Sequence, residues 1–333
     1  MPPDNSPGAI YDLGYQHYDG KRLGRAGAVR ALYLQGLRSL FGLGRGPRAK
    51  IAPIALIIFM LVPAIIQTAV VGLVGNMVQL FTHAAYFQST VWIFALFCAF
   101  QTPELVSSDQ QYRVLALYFS RALLRHDYVL ARLGALFTAL FGVGLLPHIV
   151  LLLGTWFASP DLGAAIHTSL PMIPRIIAAN LLIAISLTAV SLTIAAIIRR
   201  RPFATAAILA IFLLASAFVV PLVMTRPEKM RYIVLASPML VAQGTSQAVF
   251  DTTGHIFRAD AVRGAIVDTV PPPRAGLAPD SIVAARRRRR VAFRRRGVME
   301  VANLPPIAYY ATTLGLLLVA GGVLTLRYRS IET

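Results

Sequence analysis

The sequence contains very little cysteine and few charged residues, and each shortage excludes a class of protein. Of 333 residues only Cys98 is a cysteine, which excludes an internal disulfide and any metal cluster held by several cysteines. Charged residues make up 14% of the chain and hydrophobic residues 56%, far from the balance of a soluble domain. These proportions predict an integral membrane protein.

Acidic residues are scarce as well. The chain has 14 Asp and Glu against 32 Lys and Arg, which gives a net charge of +18. The basic residues form blocks between apolar stretches, so we interpret them as topology signals and expect no nucleic-acid partner. All but three of them are arginine, an imbalance that together with abundant alanine is typical of GC-rich bacteria.

Local catalytic signatures are absent from the sequence. The most similar stretch to a phosphate cradle, GLGRGPRAK at 42–50, lacks the Gly-Lys-Ser/Thr that binds nucleotide phosphates and magnesium. Neither His-Glu-x-x-His nor Gly-x-Ser-x-Gly occurs. The histidines form no local ligand cluster, although the fold could bring some together; they stand at positions 17, 83, 126, 148, 167 and 255. We therefore predict no catalytic residue, no metal site and no cofactor in this chain.

Long apolar stretches predict an all-α, polytopic membrane protein. About 20 apolar residues cross the hydrocarbon core of a bilayer, and six stretches approach or meet that length. They cover approximately 51–73, 85–105, 133–157, 176–198, 203–224 and 307–326.

The distribution of basic residues predicts the topology. Residues 1–50 carry eight Lys or Arg against three Asp and have no apolar core near the start, which indicates a cytoplasmic amino-terminal segment without a cleavable signal peptide. Six spans then place the basic loops 106–132 and 199–202 and the carboxyl-terminal tail inside. Five spans lie within 51–224, and 306–333 forms the last span with its short cytoplasmic tail.

The long basic segment 225–305 does not fit this pattern. Six spans place it outside the cytoplasm, where we expect it to be partly disordered. A re-entrant or spanning helix at 232–250 is the alternative. A full span there would move the arginine run at 286–296 to the inside but would leave the carboxyl terminus outside, so the side of this run stays open.

An amphipathic helix is predicted before the first span, at 25–43. Its arginines would meet anionic headgroups at the cytoplasmic interface, and the alternative is a helix packed on the protein's own loops. The apolar face consists of Val29, Leu32, Tyr33, Leu37, Leu40 and Phe41.

A second helix-prone stretch, PELVSSDQQYRVLALYFSRALLRHDYVLARL, occupies 103–133 between the second and third apolar stretches. Apolar residues recur in it every three or four positions, which predicts a helix with an apolar face. Ser107, Ser108 and Asp109 are expected to cap its start.

This stretch resembles the cytoplasmic segment of membrane permeases of the type-2 ATP-binding-cassette transporter family. The family's loose pattern is Pro-Glu-Leu, an acid, a Leu-x-Leu-Tyr-x-Ser-Arg core, a further Arg and Asp-Tyr. Ala122 departs from it, where the family often has proline, and so does Ala131-Arg132, where it often has Gly-Lys. The matching positions are Pro103, Glu104, Leu105, Asp109, Leu115, Leu117, Tyr118, Ser120, Arg121, Arg125, Asp127 and Tyr128. IYDLGYQHYDGKRLGR at 10–25 also resembles the start of a bacterial subgroup.

The resemblance implies a permease subunit of an ATP-driven exporter in the bacterial cytoplasmic membrane. Two copies, or one copy and a similar partner, would bind two cytosolic ATPase subunits, which carry the ATP and magnesium. The segment 103–132 would contain the coupling helix that docks on the ATPase. The residues expected to couple are Glu104, Leu115, Leu117, Tyr118, Phe119, Arg121 and Arg125.

Two intramembrane polar residues complete the predictions. Glu104 is expected to pair with an arginine and fix the coupling helix, and the alternative is a proton or cation site, as in an ion carrier. His148 follows Pro147 in the third span, and a titratable group at membrane depth is a functional candidate; a structural role beside the freed carbonyl is the alternative. A membrane-embedded enzyme or a non-transport membrane scaffold is the rival function, and no residue reports the transported substrate.

Overall fold

The structure is a computed structural model that describes five parts of the chain, and every regular element in them is a helix. The described residues are 23–74, 80–120, 123–225, 230–250 and 304–329. The helices are α1 (Gly24–Leu40), α2 (Pro47–Val74), α3 (His83–Leu105), α4 (Ser107–Gln111), α5 (Leu115–Phe119), α6 (Arg125–Phe157), α7 (Leu162–Ser169), α8 (Met172–Ile197), α9 (Arg201–Leu209), α10 (Ala215–Thr225), α11 (Pro238–Val249) and α12 (Pro306–Arg329).

The described residues contain six helices long and apolar enough to cross a membrane, which confirms the predicted all-α polytopic fold. The spans run over Pro47–Leu73, His83–Gln111, Arg125–Phe157, Met172–Ile197, Arg201–Val223 and Pro306–Tyr328. The third begins well before the predicted residue 133, because the hydropathy of the sequence marks only its apolar part. At 33 residues, α6 is about 50 Å long and extends beyond a hydrocarbon core of about 30 Å.

The fifth span is one continuous rod with an irregular centre. α9 and α10 are joined by a π-helical turn over Ala210–Leu214. Such a turn inserts an extra residue into the helix and is often found at functional positions. Pro221 lies inside α10.

Successive spans run in opposite directions, so the bundle has two ends. One end, here called the basic end, gathers α1, the starts of α2, α6 and α9, and the ends of α3, α8 and α12. The opposite end is called the far end. α3 and α8 are the most buried spans, whereas α2, the fifth span and α12 leave most of their residues at the surface of the chain.

Polar groups inside the fourth span connect helices to one another. Asn180 of α8 donates a hydrogen bond of 2.7 Å to the carbonyl oxygen of Phe141 in α6. Gly144 permits this approach, since a Cβ at that position would clash with Asn180 and with Phe94 of α3. A small residue at such a crossing is a common device in membrane bundles.

α1 has the predicted apolar face, and it lies on the chain's own spans. All six predicted face residues are buried or half-buried, while Arg30 and Arg38 are exposed. The helix packs on α6 and α3. Gly36 gives the closest approach, because a Cβ there would lie 3.1 Å from both Ala135 and Arg132. The buried face therefore contacts transmembrane helices of the same chain, and the opposite face stays open.

The segment 232–250 does not form a seventh span. A 3-10 turn at Arg231–Ala236 leads into α11, whose 12 residues extend only about 18 Å. α11 packs against α3, α8 and α12. Ser237 at its start contacts Ser216 of α10, and Phe250 after its end stacks near Phe87 of α3, close to the far end.

The chain thus enters the bundle after α10 and returns to the end it came from, as a re-entrant hairpin. Leu304 is the first described residue after Phe250, and it packs with Val219 and Val223 at that same end. The arginine run at 286–296 lies outside the described residues, as do residues 1–22.

Candidate functional site: the connecting segment

The connecting segment, defined here as residues 106–124, joins α3 to α6 at the basic end. The single helix predicted for it is wrong. α4 and α5 have five residues each, and Arg113 between them adopts a left-handed conformation with φ of 54°. The Val114 N–H donates to the Asp109 carbonyl oxygen and the Arg113 N–H to that of Gln110. This pattern of a Schellman motif ends α4 and turns the chain.

Asp109 anchors the segment to the third span. Its Oδ2 accepts a hydrogen bond of 2.5 Å from Nη2 of Arg132 and one of 2.8 Å from the Tyr128 hydroxyl. Tyr128 and Arg132 are four residues apart on α6 and therefore share one face. The Arg132 side chain is only 1% exposed, so this ion pair is almost fully shielded from water.

α1 completes the surroundings of this ion pair. Nη1 of Arg132 donates a hydrogen bond of 2.8 Å to Oε1 of Gln35. Tyr328 of α12 packs edge-on to Tyr128, with ring centroids 5.3 Å apart. The Asp109 cluster, defined as Asp109, Tyr128, Arg132, Gln35 and Tyr328, therefore joins the connecting segment to α1, α6 and α12.

The expected capping of the segment by three polar residues is wrong. No side chain caps α4. The Ser107 hydroxyl donates to the Ala195 carbonyl oxygen at 3.1 Å, the Ser108 hydroxyl donates to that of Glu104, and Asp109 binds Arg132. Because α4 follows α3 with almost no break, these side chains are free to bond with other elements.

Glu104 pairs with arginines, as its position suggested, and it binds two of them. Oε1 accepts a hydrogen bond of 2.7 Å from Arg201 at the start of α9, and Oε2 accepts one from Arg45 in the turn after α1. The three side chains are 26–39% exposed, so water and salt screen them. The Glu104 cluster, defined as Glu104, Arg45 and Arg201, joins the second span to α1 and the fifth span.

The other predicted coupling residues lie on or beside α5. Leu115 is buried within the chain, whereas Leu117 is 62% exposed. Tyr118 and Phe119 are half-buried beside Tyr128, each with a ring centroid 6.1 Å from its ring. Burial and, to a smaller extent, the Asp109 carboxylate raise the pKa of the Tyr118 phenol, so its hydroxyl stays neutral.

Of the two arginines predicted to couple, the structure describes only Arg125. Arg125 lies with its guanidinium carbon 5.9 Å from the Phe119 ring centroid. Arg121 lies outside the described residues.

Arg25 of α1 donates two hydrogen bonds of 2.7 Å to Asp127, and these raise the pKa of its guanidinium. Asp127 also accepts a bond of 3.0 Å from the Leu124 N–H at the start of α6.

His148 meets a second histidine near the far end. Its Nδ1 lies 3.0 Å from Nδ1 of His83, the first residue of α3. The Phe87 ring stacks on His148 with centroids 4.0 Å apart, and Tyr86 lies edge-on at 5.2 Å. The hydrogen-bond partner of the His148 Nδ1 is thus a residue of another span rather than the carbonyl freed by Pro147.

The charged and titratable residues described so far form no metal centre. Among the described residues, no group of three or more His, Cys, Asp or Glu side chains is arranged to hold a metal ion. The Asp109 cluster fixes the connecting segment to α1, α6 and α12, and the Glu104 cluster joins the end of α3 to the turn after α1 and to the start of α9.

Comparisons with known proteins do not extend this description. No protein-family model matches the chain, and no curated protein is significantly similar to it in sequence.

Proposed function

We propose that this chain is the membrane-spanning permease subunit of an ATP-driven exporter of the type-2 ATP-binding-cassette kind. The observation that carries the proposal is the connecting segment. It lies after the second of six spans, carries the pattern that resembles the family's coupling segment, exposes Leu117 and is tied to the spans through Asp109.

Coupling in this proposal is mechanical. A cytosolic ATPase subunit would contact Leu117 and the exposed parts of Tyr118 and Phe119, with Arg121 and Arg125 facing acids on its surface. Displacement of α4 and α5 would reach α6 through Asp109 and Arg132. It would reach α9 through Glu104 and Arg201. Alternating access requires such an element with two discrete arrangements.

The proposed location is the cytoplasmic membrane of a bacterium, with the basic end and both termini in the cytoplasm. The support is the positive-inside rule, because Arg45, Arg113, Arg125 and Arg201 all lie at that end. Two copies of the chain, or one copy and a similar chain, would form the substrate pathway. ATP and magnesium would bind to the ATPase subunit.

Co-purification tests the proposal. The protein is isolated from its native membrane in mild detergent, and the proteins that accompany it are identified by mass spectrometry. We expect a stoichiometric protein with a phosphate-cradle motif. Reproducible isolation of the intact chain without such a protein would contradict the proposal and favour an enzyme or scaffold, which turnover of lipid substrates by the purified chain would then distinguish.

A variant pair localises the contact. Leu117→Asp places a charge on the exposed residue of α5, and we expect it to insert normally and lose the ATPase subunit. Leu162→Asp is the matched control, because Leu162 is a 48% exposed leucine of α7 at the far end. Unchanged association of Leu117→Asp, or equal loss with Leu162→Asp, would remove α5 from the docking surface.

A further inference from the structure

A pocket lies on the open face of α1, beside the turn that leads to α2. Its volume is about 680 Å³. Gln35, Arg38, Ser39 and Arg45 supply polar atoms to its lining, and Leu34 and Leu43 supply apolar surface. Gly42 and Gly44 have φ of 65° and 84°, a conformation that folds the turn back beside α1.

The stretch of sequence that forms this pocket carries only basic charges. No Asp or Glu occurs between Asp19 and Glu104. Over the same stretch, α1, the turn and the start of α2 carry six basic residues: Arg25, Arg30, Arg38, Arg45, Arg48 and Lys50. Glu104 neutralises Arg45 in part, and Arg38 is exposed at the pocket. An anionic ligand is therefore favoured.

The position of the pocket indicates which anion. α2 begins at Pro47, directly after the turn, and its first apolar side chains face outward: Ile51 is 64% exposed and Ile54 is 48% exposed. In a span, exposed isoleucines face acyl chains. The pocket thus lies where the headgroup of a lipid whose chains run along α2 would be.

We propose that this pocket binds the headgroup of an anionic phospholipid. Arg38 and Arg45 hold the phosphate, since guanidinium groups match phosphate oxygens in charge and geometry. Leu34 and Leu43 contact the glycerol and the first methylenes of the lipid. The binding is a property of this chain and does not depend on the proposed export function.

Two lining residues connect the pocket to the connecting segment. Gln35 accepts the hydrogen bond of Arg132, which holds Asp109. Arg45 donates to both Ser39 and Glu104, and Glu104 also holds Arg201. A headgroup in this pocket would therefore lie directly beside residues of both ionic clusters.

The test uses the full-length protein in detergent. Phosphatidylglycerol, phosphatidylcholine or inorganic phosphate is added at equal concentration, bound lipid is counted by native mass spectrometry, and thermal stability is followed in parallel. We expect saturable retention of phosphatidylglycerol and a rise in its unfolding temperature. Equal retention of the two lipids, or equal protection by inorganic phosphate, would overturn the assignment of an anionic lipid.

A matched pair of arginines locates the site. Arg38→Gln should lower phosphatidylglycerol retention about fivefold. Arg30→Gln is the control, because Arg30 is an exposed arginine of the same helix that does not line the pocket. Equal losses in the two variants would show that general attraction to the basic helix is measured, and would overturn the site. Arg45 is left unchanged because it also holds Glu104.

Discussion

The two ends of the contact between the second span, His83–Gln111, and the third span, Arg125–Phe157, are held together by different chemistry. At the basic end the pair is joined by a carboxylate and a guanidinium, Asp109 and Arg132, with 1% of the arginine side chain exposed. Near the far end it is joined by two imidazoles, His83 and His148, whose Nδ1 atoms are 3.0 Å apart. The second and third spans are therefore joined by an ion pair at one end. At the other end they are joined by a hydrogen bond that is lost when both imidazoles are protonated.

From this contrast we expect the contribution of each contact to the free energy of unfolding to follow its burial and charge rather than the number of contacts. A buried ion pair that loses one partner leaves an uncompensated charge, which is costly. A hydrogen bond between neutral rings contributes far less. Half-exposed pairs such as those of Glu104 are screened. The predictions below test this order.

The largest effect is expected for Asp109→Ala. It leaves the Arg132 guanidinium buried without its carboxylate, which should lower the free energy of unfolding by about 3–5 kcal/mol. Thermal unfolding in detergent measures the change. Gln111→Ala, an exposed position on the same helix, should change little. The double variant Asp109→Leu with Arg132→Leu should recover much of the loss; a double variant as unstable as Asp109→Ala would contradict this explanation.

The spans and the apolar face of α1 could be predicted because they depend on local patterns. Runs of about 20 apolar residues and a helical period are visible in any short window of sequence. The predicted face of α1, from Val29 to Phe41, is indeed the face that packs on α6 and α3.

The ionic clusters could not be predicted in the same way. Asp109 and Arg132 are 23 residues apart, His83 and His148 are 65 apart, and Glu104 and Arg201 are 97 apart. Their pairing depends on which helices are neighbours, and a single sequence does not contain that information. Glu104 could be expected to find an arginine, but nothing local identified Arg45 and Arg201.

The break between α4 and α5 was missed for a different reason. The left-handed position that ends a helix is usually occupied by Gly or Asn, and here it is Arg113. The apolar period runs from Val114 to Tyr128 and begins only after this break, so it could not show that α4 ends before Arg113. Leu115 and Leu117 both lie on α5, and because they are two residues apart they point to different faces, one buried and one exposed.

The next effect concerns the far end. His148→Phe keeps a ring against Phe87 but removes the bond with His83, and we expect a loss of about 1 kcal/mol in the free energy of unfolding. The unfolding temperature is also measured as a function of pH. When both imidazoles are protonated, neither Nδ1 can accept and the two cations repel, so wild-type stability should fall as the pH falls.

The variant provides the control for this dependence. His148→Phe has no histidine pair, so it should lack the acid-dependent loss that depends on that pair. Tyr86, the other titratable side chain packed against His148, stays neutral under acid conditions and is common to both proteins. An equal acid dependence in the two proteins would mean that the His83–His148 contact is not the sensitive element.

A smaller effect is expected for Glu104→Gln. Its two ion pairs involve side chains that are 26–39% exposed, so the loss should be below about 1 kcal/mol in low salt. Thermal unfolding at low and at high salt distinguishes the contribution of the Glu104 cluster from that of the Asp109 cluster. The Glu104→Gln effect should shrink as salt is added, whereas the Asp109→Ala effect should persist. The opposite salt behaviour would reverse the comparison between buried and half-exposed ionic contacts.

The smallest effect is expected for Arg25→Gln. This arginine makes two hydrogen bonds of 2.7 Å with Asp127, yet its side chain is 49% exposed. Asp127 keeps its bond with the Leu124 N–H at the start of α6 when Arg25 is replaced. We therefore expect no measurable shift in the unfolding temperature. A shift as large as that of Asp109→Ala would mean that the joint between α1 and α6, rather than the burial of charge, determines the stability of the basic end.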